Sequence, residues 1–235
     1  MDKVIIAICD DQEIAVNKLK NMIEQYCQKV GYEVSILPFF EGKSVLEQRE
    51  KIDILFLDIE MPEIDGIEVG EHFRKRNKNC KIIMATARED RFKEAFKINA
   101  YRFVSKPYNM EEIGEALESC YKTFVGKEKI QLYEKRVVYE VCQKDISYIR
   151  AYNSYVEAKV GNHIMRKDSS LNKIEEILNI QLFYKVNKAY VINLMKVEDY
   201  KNGKIFIDGQ EISVPRRKRK KFEIAFQKFD LEFWG

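Results

Sequence analysis

Acidic side chains occur at two places where a short apolar run ends. Asp10 and Asp11 lie just after the run Val4–Ile8, and Asp58 directly follows the run Ile54–Leu57. Short continuous apolar runs are typical of strands that are buried on both faces of a parallel sheet. A carboxylate at the carboxyl end of such a strand points into the crevice where open α/β sheets bind ligands. We therefore expect the three carboxylates to share one rim of a sheet.

Two further apolar runs end in residues that suit phosphate chemistry. Thr86 follows the run Ile82–Ala85, and Lys106 comes soon after Arg102–Val104. Clustered carboxylates repel one another unless a cation neutralises them, and oxygen ligands suit Mg²⁺. With Mg²⁺ bound, Asp58 would attack phosphorus as a nucleophile, while the lysine charge and the threonine hydroxyl held the phosphoryl oxygens. Pro107, directly after the lysine, is a candidate cis proline.

Each of these features alone has an ordinary explanation. An Asp-Asp pair after a strand is usually a solvated turn or a helix cap, and a Lys-Pro pair is most often a loop. The combination at four strand ends favours a site. A phosphohydrolase that uses an aspartyl-phosphate usually has a second Asp two residues after its nucleophile, but here that residue is Glu60. Because we also find no group to activate water, we predict that the chain is not an enzyme.

The first half of the chain alternates strand and helix patterns. A further strand is predicted over Val34–Phe39. Helical spacing predicts five helices, over Ile14–Val30, Ser44–Glu50, Ile67–Arg76, Phe92–Ile98 and Met110–Val125. Five strands alternating with five helices imply a parallel sheet that is covered on both faces, with right-handed crossovers. We predict a doubly wound α/β domain over residues 1–125.

Beyond residue 126 the pattern becomes mostly β. Short strand-like runs follow one another 8 to 12 residues apart, with turn signals at Asn202-Gly203 and Asp208-Gly209. One amphipathic helix is predicted between Leu171 and Leu178, and a final helix from Arg217 to Phe229. We therefore predict a linker over residues 126–129 and a mostly antiparallel β domain over residues 130–235.

Composition and charge limit the choice of partners. No apolar run approaches the roughly 20 residues that span a bilayer, and no secretory signal is evident. The five scattered cysteines form no CxxC pair, which favours reduced thiols in the cytoplasm. Residues 1–124 hold 19 Lys and Arg against 23 Asp and Glu, net −4, whereas residues 125–235 hold 22 against 15, net +7. This asymmetry suggests that the second half meets a polyanion, whereas the lack of a spanning run predicts that no membrane is a partner.

Over residues 3–125, the motifs resemble the receiver domain of bacterial response regulators, a flavodoxin-like fold. The motifs are Asp10-Asp11, Asp58 with Met61-Pro62 and Asp65-Gly66, Thr86-Ala87, and Lys106-Pro107. The resemblance implies that a sensor histidine kinase donates a phosphoryl group to Asp58. It implies Mg²⁺ ligands from Asp10 or Asp11, Asp58 and the main-chain carbonyl of Glu60. It also implies a switch in which Thr86 moves toward the phosphoryl group and Phe103 rotates inward, next to Lys106 and Pro107.

Over residues 128–230, the second half resembles the LytTR DNA-binding domain, a mostly β fold that presents loops to DNA. The resemblance lies in Ile146–Ile149, in the block Phe183–Asn193, and in Asp208-Gly209 followed by Val214-Pro215-Arg216. The family usually has Ser-Arg at the last position, and here Pro215 replaces the serine. A response regulator transcription factor is therefore expected, with duplex promoter DNA as its partner.

The LytTR resemblance implies that three loops enter successive major grooves. Arg216 is the expected base reader, because a guanidinium can pair bidentately with guanine. Further contacts are expected from Asn153, Ser154, Asn187, Lys188, Arg217, Arg219, Lys220 and Lys221, the last four with phosphates. Asn187 and Asn193 have an alternative role in satisfying buried backbone groups, and we expect Asn193 to be structural.

Two copies are expected to act together. Phosphorylation would favour pairing of receivers, and the homodimer would bind paired repeats about one helical turn apart. The alternative is a receiver whose basic domain binds RNA or another protein. The tyrosines Tyr152, Tyr155 and Tyr184 alternate as strand residues do, which does not favour a stacking platform for single strands.

Overall fold

The computed structural model describes residues 3–233, except for the side chains of Glu89 and Phe92. The chain divides into two compact units, one ending at Thr123 and the other starting at Phe124. Within the described residues, no helix has the length and apolar character needed to cross a bilayer.

The first unit alternates five strands with five helices, as predicted. Its strands are β1 (Val4–Cys9), β2 (Val34–Phe39), β3 (Ile54–Leu57), β4 (Lys81–Thr86) and β5 (Arg102–Ser105). Its helices are α1 (Glu13–Val30), α2 (Gly42–Glu47), α3 (Gly66–Arg76), α4 (Phe92–Ala95) and α5 (Met110–Lys122). Gly31, in the left-handed conformation, ends α1, as glycine commonly does after a helix.

The five strands form one parallel sheet in the order β2-β1-β3-β4-β5. This is the doubly wound order in which the crevice lies between the carboxyl ends of β1 and β3. On one face of the sheet, α2, α3 and α4 cover Leu55, Leu57 and Met84. The helices α1 and α5 contact each other. The fully buried, apolar β3 confirms the prediction that the sheet is covered on both faces.

Three helix predictions in this unit were wrong in extent. The helix expected over Ser44–Glu50 lies over Gly42–Glu47, because the backbone is already extended at Gln48. The helix expected over Phe92–Ile98 has only four α-helical residues, between two 3-10 turns at Glu89–Arg91 and Phe96–Ile98. Asn99, in the left-handed conformation, ends that segment. The helix expected to run to Val125 ends at Lys122, because Val125 packs into the core of the second unit.

The second unit is mostly β, as predicted. Its strands are β6 (Lys129–Glu134), β7 (Val137–Cys142), β8 (Ile146–Ala151), β9 (Val156–Val160), β10 (His163–Lys167), β11 (Phe183–Lys185), β12 (Tyr190–Asn193), β13 (Asp199–Lys201), β14 (Lys204–Ile207) and β15 (Gln210–Ser213). Its helices are α6 (Leu171–Glu175) and α7 (Arg219–Phe233), and 3-10 turns lie at Gln143–Asp145, Leu194–Lys196 and Arg216–Lys218.

These strands form two antiparallel sheets. Seven strands pair in the order β11-β12-β8-β9-β10-β6-β7, and three pair in the order β13-β14-β15. The fully buried ring of Phe222 on α7 packs edge-on against Tyr184 of the first sheet and Tyr200 of the second. One aromatic side chain of α7 therefore joins both sheets to the core.

Other features of this unit differ from the sequence analysis. The helix expected to reach Leu178 is α-helical only over Leu171–Glu175, since the amides of Ile177 and Leu178 bond three residues back in turns. The strand β13 was not predicted, because its residues Asp-Tyr-Lys show no apolar alternation. The last helix begins at Arg219 and not at Arg217, since the chain after Pro215 first makes a 3-10 turn. The strand β6 begins at Lys129.

Candidate phosphoryl site and nucleic-acid interface

The three predicted carboxylates meet at the carboxyl edge of the parallel sheet. Asp10, Asp11 and Asp58 each place one oxygen within 4.8 Å of the others, and we call this cluster the acidic pocket. Asp58 and Asp10 are buried, at 4% and 1% exposure, whereas Asp11 is exposed. The backbone amide of Ile59 donates to Oδ1 of Asp58 at 2.7 Å. One side of the pocket is thus open to solvent through Asp11.

Lys106 supplies the positive charge that the acidic pocket needs. Its Nζ lies 2.6 Å from Oδ2 of Asp58 and 2.7 Å from Oδ2 of Asp10. Burial alone would lower the pKa of Lys106, but the bonds to the two carboxylates outweigh it and hold that pKa above its usual value. Burial raises the pKa of Asp10, and the hydrogen bond from Lys106 offsets only part of this effect. The ammonium is therefore firmly charged and shared between two acids.

Gly66 lets the helix α3 begin directly against Asp58. A Cβ atom added there would lie 1.8 Å from the main-chain oxygen of Asp58. The Gly66 amide donates to the carbonyl of Ile59 at 2.9 Å. Asp65, the residue before it, caps α3 by accepting from the Ile67 amide at 2.8 Å. The Asp65-Gly66 pair therefore fixes the backbone that carries Asp58.

Thr86 is buried at the end of β4, at 1% exposure. Its Oγ1 accepts from the Arg88 amide at 3.1 Å. The Arg88 guanidinium forms an ion pair with the exposed side chain of Glu60 and with Asp90. Sequence patterns gave no signal for Arg88, because its partners lie on separate loops. Through these ion pairs, Arg88 connects the loop after β3 to the loop after β4.

The other predicted switch residues lie on or just after β5. Phe103 is half-buried and packs against the cluster formed by α2, α3, α4 and the sheet. The peptide bond between Lys106 and Pro107 is cis, as the sequence suggested. Tyr108, which we did not predict, is buried, and its hydroxyl donates to Oδ2 of Asp10 at 3.5 Å.

The acidic pocket has the donor set of a magnesium site. All its ligand atoms are carboxylate oxygens, which Mg²⁺ prefers, and the exposed Asp11 leaves room for the waters that Mg²⁺ usually keeps. The side chain of Glu60 pairs with Arg88, which leaves only its main-chain carbonyl for the predicted role. The residues therefore fit the ion.

The second candidate site lies at one end of the seven-stranded sheet. Arg150 of β8 pairs with Tyr190 of β12, so the loop 152–155 and the loop 186–189 leave the same end of the sheet. The Ala151 amide donates to the Ala189 carbonyl at 2.7 Å. Nζ of Lys218 donates to the carbonyl of Lys185, which brings the turn Arg216–Lys218 to this end. We call these three segments the loop edge.

The loop edge contains most of the predicted DNA contacts. Asn153, Ser154, Lys188, Arg216 and Arg217 are all exposed there. The first two lie in the loop 152–155, the third in the loop 186–189, and the arginines in the 3-10 turn. Residues that are up to 64 positions apart in the sequence are thus brought to one edge.

The remaining predicted contacts belong to α7. Lys220 and Lys221 are exposed in its first turn. Arg219 is exposed as well, but its Nε donates to the Val214 carbonyl at 3.4 Å and its guanidinium lies against Gly203. Among these residues, the two lysines are therefore the less constrained cations.

The two asparagines of the block Phe183–Asn193 both bind backbone groups. Oδ1 of Asn187 accepts from the amides of Ala189 and Tyr190, at 2.8 and 3.0 Å, and so shapes the loop 186–189. Asn193 is fully buried; its Nδ2 donates to the Ile146 carbonyl at 2.9 Å, and its Oδ1 accepts from the Met195 amide at 3.0 Å. The structural role expected for Asn193 is confirmed.

Comparison with known proteins gives two family matches. Residues 6–118 match the response regulator receiver domain, and residues 136–227 match the LytTr DNA-binding domain. The sensory transduction protein LytT of Enterococcus faecalis is 24% identical over 241 residues, which cover 93% of this chain and 97% of that protein. The transcriptional regulatory protein LytR of Staphylococcus aureus is 24% identical over 247 residues, which cover 93% of this chain and 97% of LytR.

Several solved structures similar to this chain are receiver domains. The response regulatory domain of mrkE from Klebsiella pneumoniae is 26% identical, with a TM-score of 0.47, and covers 52% of this chain and 98% of its own. The receiver domain of AraT from Geobacillus stearothermophilus is 25% identical, with a TM-score of 0.46. The match covers 52% of this chain and 95% of the AraT chain.

Proposed function

Because the chain belongs to the response regulators that join a receiver domain to a LytTr DNA-binding domain, we propose that it takes a phosphoryl group on Asp58 and binds promoter DNA through the loop edge. The chain is a DNA-binding response regulator by this membership. The assignment of Asp58 rests on one observation above all. It is a buried carboxylate at the end of β3, with the Lys106 ammonium at 2.6 Å and two further carboxylates in the same pocket.

The donor in this proposal is a sensor histidine kinase. A carboxylate oxygen of Asp58 forms a bond to phosphorus as the bond from phosphorus to the kinase histidine nitrogen breaks, and that nitrogen keeps the electron pair. The product is an acyl phosphate on Asp58 and a free histidine. The chain's own residues position the acceptor: the Ile59 amide holds one oxygen of Asp58, and Lys106 holds the other.

We propose that Asp10 or Asp11, Asp58 and the carbonyl of Glu60 hold Mg²⁺ in this pocket. When bound, the ion would neutralise charge that builds up between the carboxylates and the incoming phosphoryl group. Lys106 and the hydroxyl of Thr86 would bind phosphoryl oxygens.

The switch is also part of the proposal. Oγ1 of Thr86 accepts from the Arg88 amide, and in this proposal its O–H donates to a phosphoryl oxygen on Asp58, which draws Thr86 toward the acidic pocket. The displacement of Thr86 would leave space for Phe103 to turn inward from its half-buried position. Receivers changed in this way would pair, so that two copies bind repeats about one helical turn apart.

DNA recognition in this proposal divides between two kinds of contact. Arg216 reads a base, because it is exposed at the loop edge and its guanidinium can pair bidentately with guanine. Arg217, Arg219, Lys220 and Lys221 bind phosphates, which provides affinity and salt dependence without sequence information. Asn153, Ser154 and Lys188 complete the contacts, and Asn187 contributes through the loop that it shapes.

The domain limits remain part of the proposal: a receiver over residues 1–125, a linker over 126–129 and the DNA-binding domain over 130–235. The outer limits, residues 1 and 235, lie outside the described residues. The cytoplasmic location likewise remains a prediction.

Labelling with a phosphoryl donor tests the acceptor. We expect wild type to form an alkali-labile acyl phosphate in the presence of Mg²⁺, and Asp58→Asn to form none. Asp90→Asn is the matched control, because Asp90 is an exposed aspartate of the same unit that pairs with Arg88. It should label as wild type does. Labelling that survives in Asp58→Asn, with the fold intact by circular dichroism, would place the acceptor elsewhere.

A further inference from the structure

Arg150 stands in a row of side chains that crosses the seven-stranded sheet just beside the loop edge. The strand registers place it between Tyr190 of β12 and Glu157 of β9, and Arg166 of β10 lies on the other side of Glu157. Residues paired directly across antiparallel strands share one face of the sheet. Only Ala151 separates Arg150 from the loop 152–155. Arg150 and Arg166 are thus two exposed arginines that flank the same glutamate.

The two arginines have different partners. Arg166 is neutralised: it donates to Asp168 through Nε at 2.9 Å and through Nη2 at 2.7 Å, and it also lies over the ring of Tyr155. Arg150 contacts two aromatic rings, with its guanidinium carbon 5.1 Å from the centre of the Tyr152 ring and 5.8 Å from that of Tyr190. Among the described residues, Arg150 forms no ion pair with a carboxylate.

The rings hold Arg150 without neutralising it. A guanidinium beside an aromatic ring is attracted by the ring quadrupole, loses rotational freedom and keeps its full charge. Tyr152 also stacks on Tyr155, with ring centres 4.8 Å apart, which restrains it in turn. The hydroxyl of Tyr152 interacts with the Glu157 carboxylate, and this interaction raises the pKa of Tyr152. Glu157, which is paired with Arg150 across the two strands, therefore interacts with the tyrosine.

We propose that Arg150 is a DNA-phosphate contact, positioned by the rings of Tyr152 and Tyr190 at the side of the loop edge. This proposal rests on the proposed DNA-binding function. A phosphate is the expected partner, because Arg150 lies on the sheet beside the loop and not at its tip. The tips of the three segments would enter the groove, so a charge set back from them faces the backbone at the groove's edge.

Binding titrations on two duplexes test the proposal in the full-length protein. One duplex is selected from a random library by wild type, and the other is a scrambled sequence of the same length and composition. Arg150→Gln should raise Kd by the same factor on both, since a phosphate contact is independent of sequence. The logarithm of the binding constant falls with the logarithm of the salt concentration, and losing one phosphate contact makes that slope shallower by about 0.9. The ratio of the variant's Kd to the wild-type Kd should therefore shrink about threefold between 50 and 200 mM salt.

The matched control is Arg166→Gln, which removes an arginine from the same face of the same sheet. Because Asp168 already neutralises Arg166, this variant should bind both duplexes as wild type does. Arg150→Gln binding like Arg166→Gln on both duplexes would overturn the proposal. A loss confined to the selected duplex would overturn it too, because it would make Arg150 a base reader.

A double-mutant cycle tests the positioning by Tyr152. Tyr152→Leu should weaken binding, whereas Tyr152→Phe, which keeps the ring, should weaken it much less. If Tyr152 acts through Arg150, the double variant Tyr152→Leu/Arg150→Gln should bind no more weakly than Arg150→Gln alone. Fully additive losses would show that Tyr152 does not position Arg150.

The same titrations separate this inference from the proposed function. If Arg216→Ala still loses affinity when Arg150→Gln does not, the proposed function stands without this inference. If wild type binds neither duplex, both fail.

Discussion

Lys106 Nζ lies 2.6 Å from Oδ2 of Asp58, so the proposed phosphoacceptor is already paired with the cation proposed to bind its phosphoryl group. The same ammonium reaches Asp10 at 2.7 Å. One partly buried ammonium is therefore shared by two buried acids, and a change at this lysine is expected to affect both stability and Mg²⁺ binding.

Lys106→Met should destabilise the first unit by about 3 kcal/mol at pH 7, because it leaves two buried carboxylates without their partner. Mg²⁺ should restore part of the loss, and so should raise Tm more in the variant than in wild type. Thermal unfolding with and without MgCl₂ measures both effects. Lys20→Met is the control: Lys20 forms only an exposed pair with Glu24, which contributes less than about 1 kcal/mol. An Mg²⁺ effect equal in variant and wild type would contradict the assignment of the acidic pocket as the ion's site.

Gly66→Ala should cost about 3 kcal/mol of stability, since its methyl group would lie 1.8 Å from the Asp58 carbonyl oxygen and backbone must move to admit it. Denaturant unfolding measures the loss, and phosphoryl labelling should fall with it. Gly31→Ala is a useful comparison, because Gly31 has φ +77° but open space around it. That variant should lose only about 1 kcal/mol and label normally. Equal losses in the two variants would argue against a steric requirement at Gly66.

Asn193→Ala should destabilise the second unit by about 3 kcal/mol, because it leaves the Ile146 carbonyl and the Met195 amide without their side-chain partner inside the core. Asn162→Ala, at an exposed turn, should change stability by less than about 0.5 kcal/mol. Unfolding followed by the fluorescence of the aromatic core compares them. A small effect of Asn193→Ala would mean that water replaces the amide, and the structural role would then be minor.

Arg216→Ala should cost about 1–3 kcal/mol on a selected duplex and relax specificity, as expected for a base reader. Lys220→Ala should instead weaken binding equally on selected and scrambled duplexes, because a phosphate contact ignores sequence. Titrations of both variants on both duplexes separate the two roles. An equal loss for Arg216→Ala on the two duplexes would make Arg216 another phosphate contact.

Local sequence patterns were sufficient for much of the fold. The strands Val34–Phe39 and Ile54–Leu57 have the predicted bounds, because each is a short, mostly apolar run that begins directly after an acidic residue. The acidic pocket could be predicted because the carboxyl ends of parallel strands meet at one edge. Neither inference needed the contacts of individual side chains.

Features that depend on strand register or on distant partners could not be predicted. Arg150 meets Tyr190 only because β8 pairs with β12, and no spacing in the sequence indicates that pairing. Arg88 joins Glu60 to Asp90 through loops whose positions are set by the sheet. Val125 continues the apolar pattern of α5 but belongs to the core of the other unit, so periodicity alone extended the helix too far.

The most direct test of the account is selection of duplexes from a random library by full-length protein, with and without beryllofluoride as the phosphoryl mimic. We predict enrichment of a spaced repeat that becomes sharper with the mimic in wild type and is unchanged by it in Asp58→Asn. Salt-sensitive binding to every duplex, with no sequence enriched in either condition, would contradict specific DNA recognition through the loop edge. Enrichment that the mimic leaves unchanged in wild type would contradict the coupling of Asp58 to DNA.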